Sequence, residues 1–379
     1  MMRASSDKSM LGLELLRFLS AVAVIIWHYQ HFFMVGPALE PTFSRDVQPL
    51  YPVISFFYNQ GHHAVEMFWL ISGYIFFWKY HQSVHERRVG GWAFFVMRFS
   101  RLYPLHVATL VLVALLQIAY RADHGGGDFV FPANDWTRFG LHLLFASDWG
   151  FVSGLSFNGP IWSVSREVVI YAVFFALSRF VLTGAIGRTV LVGLAIALWL
   201  ANDRFLGIQT LRVFLTVSVY FFAGGLAHAI AEKVPARALK YAAPPAALAA
   251  VVIVLFLFRP GDATPKVATL AATGLTLIAF LGLEHWGAAR DGLARLAPLG
   301  DLTYSSYLVH FPVQIVAALA VDRLGLTRDV FLSPVAFLAY LAVVLALGRV
   351  VFDRFERPAQ AALRRLMLTP RGEPALASR

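Results

Sequence analysis

Residues 15–30 read LLRFLSAVAVIIWHYQ. With its flanks the stretch is long and apolar enough for a membrane-spanning helix, which needs about 20 largely apolar residues. Yet it carries Arg17 and His28. Charge inside a bilayer is costly unless it is paired or faces a wet interior. Eleven residues at about 100° each leave a net rotation of about 20°, so the two side chains share one face, about 16 Å apart along the axis. Glu14 stands three residues before Arg17, within reach of it. One stripe of this helix therefore faces something polar across half the bilayer.

The rest of the chain is built on the same plan. Of 379 residues, 58% are hydrophobic and 14% charged, against about 25% charged in an ordinary soluble domain. Long apolar runs recur from end to end and are continuous rather than alternating. That predicts an all-α, polytopic integral membrane protein and argues against a β-barrel. Ten spans are expected, at roughly 11–33, 62–80, 102–120, 161–182, 187–202, 207–231, 239–258, 266–285, 301–321 and 330–352. They form a single membrane domain over 1–379, with a helical core over about 11–352 and a basic tail over 353–379. There is no cysteine, which excludes disulfides, thiolate metal ligands and a cysteine nucleophile. No small-residue cleavage site follows the first run, so it reads as an uncleaved span rather than a signal peptide.

The net charge of +10 is read as positive-inside topology rather than as a nucleic-acid surface. With the N-terminus inside, Arg3, Lys8, Lys79, Arg87, Arg88, Arg98 and Arg101 face the cytoplasm, as do Arg349 and the arginines after it. Both termini are then cytoplasmic. The largest outer loop, about 121–160, holds four aspartates, HGGGD at 124–128, Trp136 and Trp149. It reads equally well as a sugar-contacting surface and as an ordinary solvated loop with interfacial tryptophans.

Several further ionisable residues fall inside apolar runs. In GHHAVEMFWLISGY (61–74), His62 and His63 precede Glu66 by four and three residues, so one of them reaches it on the same face. Two histidines and one carboxylate at this spacing are a weak metal signal, and no metal is expected. Ser72-Gly73 permits close helix packing. In VMRFSRLYP (96–104), Arg98 and Arg101 project together at the membrane edge, suited to lipid headgroups or to a phosphate clamp. In NGPIWSVSREVVIY (158–171), Arg166 and Glu167 are adjacent and point about 100° apart, so each needs a partner elsewhere. Ser163, Glu167 and Tyr171 align at i, i+4 and i+8. Glu167 and His28 lie at comparable depth, which makes them candidates for a base and its orienting carboxylate, with Glu66 as the competitor. His310, in LTYSSYLVHFP (302–312), sits near the midplane, where a lone histidine is more often structural. Glu356, in FDRFERPAQ (352–360), reads as an ion-paired helix end.

Taken in order, these segments resemble the membrane-bound acyltransferase-3 family, which O-acylates polysaccharides and other glycans. The family opens with Arg, ten residues, then His, matched by Arg17 and His28. AVEMFWLISGY (64–74) matches its next motif, with Ala64 for the usual glycine and Glu66 for the usual aspartate. Arg98, Arg101, Tyr103 and Pro104 match its paired arginines before Tyr-Pro. Pro160, Trp162, Ser163, Glu167 and Tyr171 match its PxWSLxxE…Y signature, with Arg166 where an apolar residue is usual. LGDLTYSSYLVHFP (299–312) and Glu356 to Pro358 complete the set.

The resemblance covers about 11–365 and implies an acyl donor, usually acetyl-coenzyme A, presented from the cytoplasm. It implies donor binding by Arg98, Arg101 and Arg17. His28 becomes the base, with Glu167 or Glu66 beside it, and Arg17 or Arg166 stabilises the oxyanion. Trp162, Ser163, Arg166, Tyr171 and His310 become candidates for contact with the acceptor. The implied partners are acyl-coenzyme A, a glycan or lipid-linked saccharide, and membrane lipids, and the implied location is a bacterial cytoplasmic membrane. Buried charges also mark transport pathways. A transporter or flippase of acyl groups or glycolipids is therefore the competing class, although no inverted repeat is seen.

Overall fold

The computed structural model describes residues 10–180, 184–257 and 266–368. Arg3, Lys8 and the end of the basic tail lie outside them. The protein is nearly all helical. Among the described residues, nine helices are long and apolar enough to cross a membrane, and they fall on nine of the ten expected runs. The main helices are α1 (Leu11–His28), α2 (Ala64–Phe76), α3 (Gly91–Asp123), α4 (Trp162–Phe180), α5 (Ala185–Ala201) and α6 (Gln209–Ala231). They continue with α7 (Ala236–Leu257), α8 (Lys266–Leu283), α9 (Leu302–Arg323), α10 (Pro334–Val351) and α11 (Arg357–Met367).

The run at 62–80 is the one that differs. It is helical, as α2 continued through a π-turn at Phe77–His81, but Glu66, Lys79 and His81 dilute its apolar content. It needs no uniform apolar coat, because much of it is walled by protein: Val65, Met67, Trp69, Leu70, Ile71 and Phe76 are buried. Two glycines bring it against α6. A Cβ on Gly73 would collide with the Phe221 carbonyl, and one on Gly224 with the Leu70 carbonyl. This is the close approach that Ser72-Gly73 suggested.

Helix α9 forms the centre. Of the most apolar stretch within Gly287–Arg323, 78% is buried in protein, against 17% within Ala236–Phe256. The pattern is the reverse of a soluble core. Thr303, Ser305, Ser306, His310 and Gln314 are all buried on α9, while Leu248, Val251 and Leu255 of α7 are exposed. In lipid the cheap place for an aliphatic side chain is outside, and polar groups seek partners within the bundle.

Helix α3 begins at Gly91, eleven residues before the expected span. Arg98 and Arg101 therefore lie on its first half rather than in a connecting loop. Arg17 and Arg101 both lie within electrostatic range of Asp301 and Glu356. That defines an arginine end of the bundle. At the opposite end the segment 121–160 is pinned down. Arg121 grips Asp128 through Nε and Nη2 at 2.7 and 2.8 Å, and Arg323 pairs with Asp123 at 2.6 Å. Buried His142 bonds Ser156 Oγ at 3.0 Å and offers its carbonyl to His106 Nε2 at 2.7 Å. Burial, and then the neighbouring His106, push the His142 imidazole down to about 3. The two tryptophans differ: Trp136 is exposed, whereas Trp149 donates to the Ser165 carbonyl at 2.8 Å.

Candidate active site

Helix α1 delivers its polar stripe as the sequence requires. Arg17, near the arginine end, bonds Glu14 at 2.9 Å. His28, at the other end of α1, is buried and lines a cavity of about 250 Å³ together with Trp27, His31, His62, Trp162 and Tyr307. Val130, Phe131 and Leu155 of the loop form another wall. Val24 and Val65 also line this cavity, and Arg17 does not. Two of the expected contacts, His28 and Trp162, therefore share one chamber.

The hydrogen bonds around His28 fix its tautomer. His310 Nδ1 lies 2.5 Å from the Tyr307 carbonyl, and a carbonyl only accepts, so this nitrogen donates. His310 Nε2 lies 3.1 Å from His28 Nδ1. No carboxylate bonds either ring among the described residues, and a buried unpaired imidazolium is disfavoured. With both rings neutral, His310 Nε2 accepts and His28 Nδ1 donates. The lone pair of His28 is left on Nε2.

A second arrangement supports the first. Gln314 Nε2 donates to the His28 carbonyl at 2.8 Å, which leaves Gln314 Oε1 to accept from His31 Nδ1 at 3.0 Å. After His28 the helix tightens to a 3₁₀ turn, Tyr29–Phe33, in which residues i and i+3 nearly eclipse. The His31 ring accordingly lies 4.7 Å from that of His28. His31 and Gln314 were not singled out from the sequence, although the i, i+3 spacing of the two histidines was a usable signal.

The carboxylates take other places. Glu167 is buried, and Ser72 and Tyr171 hydrogen-bond its side chain. Its Oε1 has no hydrogen-bond partner among the described residues, and Arg17 and Arg98 lie within its electrostatic range. Glu66 stands 3.5 Å from His63 Nδ1. No hydrogen bond joins His28 to Glu167 or Glu66 among the described residues, and the group that orients His28 is His310. Ser163 bonds the Tyr307 hydroxyl at 2.9 Å, and Tyr307 in turn donates to the Pro160 carbonyl at 2.5 Å.

Arg166 finds its partner in the loop rather than on a helix. Its Nε bonds Asp148 at 2.5 Å, and its guanidinium lies 4.2 Å from the centre of the Trp162 ring. Burial pushes the Asp148 carboxyl up, against the opposing pull of Arg166. A loop–helix ion pair thus backs the tryptophan that lines the cavity.

At the arginine end, Arg98 bonds the Tyr80 hydroxyl and lies over the Tyr80 and Phe76 rings at 4.7 and 5.0 Å. Its Nε is buried with no hydrogen-bond partner among the described residues. Glu356 is buried and accepts from the Ser305 hydroxyl. Arg101 and Arg17 lie within its electrostatic range but form no direct ion pair with it among the described residues. The expected ion-paired helix end is therefore a hydroxyl-bonded carboxylate. Among the described residues, no group of three or more histidines and acids is placed to hold a metal ion.

A membrane bundle with a buried, oriented imidazole at one end of a helix and arginines toward the other has the parts of a group-transfer enzyme. The chain belongs to the acyltransferase-3 family: the family model, described as an acyltransferase domain, matches residues 10–352. It is a membrane acyltransferase of that family. It is 24% identical over 337 residues to acyltransferase MdmB of Streptomyces mycarofaciens, covering 80% of this chain and 82% of that protein. It is 29% identical over 177 residues to protein 2 in the picA locus of Rhizobium radiobacter, covering 42% of this chain and 81% of that protein. No solved structure matches.

Proposed function

We propose that this acyltransferase moves an acyl group, acetyl in the simplest case, from cytoplasmic acyl-coenzyme A to a hydroxyl of a glycan or glycolipid at the outer side of a bacterial cytoplasmic membrane. Both termini are then cytoplasmic and the arginine end faces the cytoplasm. The observation that carries the reading is the direction of the His28 lone pair. The Nδ1–H is committed to His310, so Nε2 is left to take a proton in a chamber lined with aromatic rings.

In this reading Arg98, Arg101 and Arg17 receive the anionic end of the donor, and its thioester reaches His28 from that side. The acceptor enters from the loop end and lies against Trp162, with Ser163, Arg166, Tyr171 and His310 shaping the surroundings. His28 Nε2 takes the hydroxyl proton as the oxygen attacks the thioester carbon. The C–O bond forms, the C–S bond breaks, and the departing thiolate recovers a proton from the imidazolium. His310 Nε2 accepts from His28 Nδ1–H throughout, which holds the ring and spreads its charge. Arg17, about 16 Å from His28 along α1, serves the donor rather than the carbonyl at His28. Arg166 is the better-placed cation for the oxyanion, because its guanidinium lies over a ring that lines the chamber. Glu167, bonded to Ser72 and Tyr171, stands between the two ends. The acyltransferase MdmB relative supports acyl transfer, and the fit of the arginines to phosphates supports the donor.

The test is acyl transfer by purified protein from radiolabelled acetyl-coenzyme A to an extract of surface glycans. His28→Ala is expected to purify normally and to lose transfer. Retained turnover in that variant overturns the assignment of the base, and counterflow of label without covalent transfer overturns the reaction.

A further inference from the structure

The sequence gives α11 no role beyond a basic tail, yet in the structure it lies along the first half of α3. Trp92 Nε1 donates to the Met367 carbonyl at 3.0 Å, and Arg364 Nε donates to Ser100 Oγ at 3.2 Å. Ser100 stands between Arg98 and Arg101. Helix α11 therefore adds a third guanidinium where α3 already has two, and both of these lie within electrostatic range of it.

Three like charges repel unless something answers them. Among the described residues, the nearby carboxylates are held by other groups or stand without a direct ion pair. Glu14 bonds Arg17, Glu356 accepts from Ser305, and Glu167 is bonded by Ser72 and Tyr171. Asp301 lies in range of Arg101, Arg17 and Arg349 without direct pairing. Among the described residues none of these acids makes an ion pair with Arg98, Arg101 or Arg364. Among the described residues Arg98 Nε is moreover buried with no hydrogen-bond partner, and a buried donor left unmade is costly. Arginine forks bind phosphate oxygens in pairs of parallel bonds, and the donor class proposed above carries a diphosphate and a phosphomonoester.

We propose that Arg364 is a third donor-binding residue. Helix α11 then acts as a clamp that closes the anionic end of acyl-coenzyme A between itself and Arg98 and Arg101. This inference rests on the donor proposed above.

The experiment measures kcat and KM of the full-length protein with acetyl-coenzyme A and with S-acetylpantetheine, which lacks the phosphates. Arg364→Gln is expected to raise KM for acetyl-coenzyme A about tenfold, to change kcat less than twofold, and to leave KM for S-acetylpantetheine unchanged. If Arg364→Gln does not purify, Arg364→Lys is measured in the same way, with about a threefold rise expected for acetyl-coenzyme A alone. An equal rise for both donors means that the residue only holds α11 in place, and overturns the inference. Arg98→Gln run in parallel separates the two levels. If it raises KM for acetyl-coenzyme A and Arg364→Gln does not, only the Arg364 role fails. If neither moves KM, or acetyl-coenzyme A is not turned over at all, the donor reading fails and the clamp with it.

Discussion

His310 Nε2 faces His28 Nδ1 at 3.1 Å across 282 residues of sequence, and its other nitrogen is anchored on the Tyr307 carbonyl. An imidazole here takes the place in which many general-base sites use a carboxylate. It accepts the same proton without bringing a fixed negative charge into the bundle.

In the proposed mechanism, replacing His310 by alanine frees the His28 tautomer without removing the base. The expected loss is about 100-fold in kcat, at the low end of what a positioned base contributes, with donor KM little changed. His310→Gln is expected to recover part of the loss, since an amide oxygen also accepts from His28 Nδ1. A shifted acidic limb of the pH–rate profile in His310→Ala marks a positioning role. An unshifted profile with a uniformly lower rate would point to packing alone.

The Asp148–Arg166 pair couples the loop to Trp162. Asp148→Ala leaves a half-buried guanidinium without its partner and is expected to cost about 2 kcal/mol, between the values for exposed and buried pairs. Melting of the detergent-solubilised protein measures it. The same variant is expected to raise KM for the acceptor while leaving KM for the donor alone. The double variant Asp148→Leu/Arg166→Met is expected to regain much of the lost stability.

Helices α2 and α6 meet backbone to backbone. Gly73→Val is expected to force them apart and to cost several kcal/mol, beyond the usual 1–3 kcal/mol of core overpacking, because the obstacle is a carbonyl rather than a movable side chain. Yield of monodisperse protein after extraction reads this out. Gly274→Val, at a glycine with open space around it, serves as the control and is expected to behave as wild type.

His142 gives the loop a pH dependence. Its folded-state value is about 3, well below the 6.5 of an unfolded chain. Above pH 6.5 both states are neutral at this residue and its contribution is complete. As pH falls toward 3, the unfolded chain takes up a proton that the folded one refuses, so stability declines, by up to about 1.4 kcal/mol per pH unit. The melting temperature of wild type is expected to drop between pH 7.5 and 5 more steeply than that of His142→Asn. Parallel curves for the two would refute the assignment.

The membrane architecture was legible in the sequence because lipid demands long apolar runs. The run at 62–80 escapes the same measure because protein, not lipid, surrounds much of it. Local pairs were legible too: Arg17–Glu14, His63–Glu66 and Glu167–Tyr171 follow from helical spacing. Partners across the bundle were not. Comparable depth suggested Glu167 for His28, but depth says nothing about the direction in which a side chain leaves its helix, and the partner proved to be His310. Arg166 was expected only to need a partner elsewhere, and it meets an aspartate from a loop whose path the sequence leaves open. The docking of α11 on α3 depends on contacts such as Trp92–Met367, separated by 275 residues, which no local pattern encodes.

Arg17 and His28 ride on one uninterrupted helix, so peptide geometry works as a ruler between them, with no hinge to stretch or shorten it. One residue inserted between them would swing the imidazole about 100° away from His310 and add only about 1.5 Å of length. In the proposed mechanism a donor that engages both ends must therefore match a fixed interval, which would make the first helix selective for the length of the donor's arm.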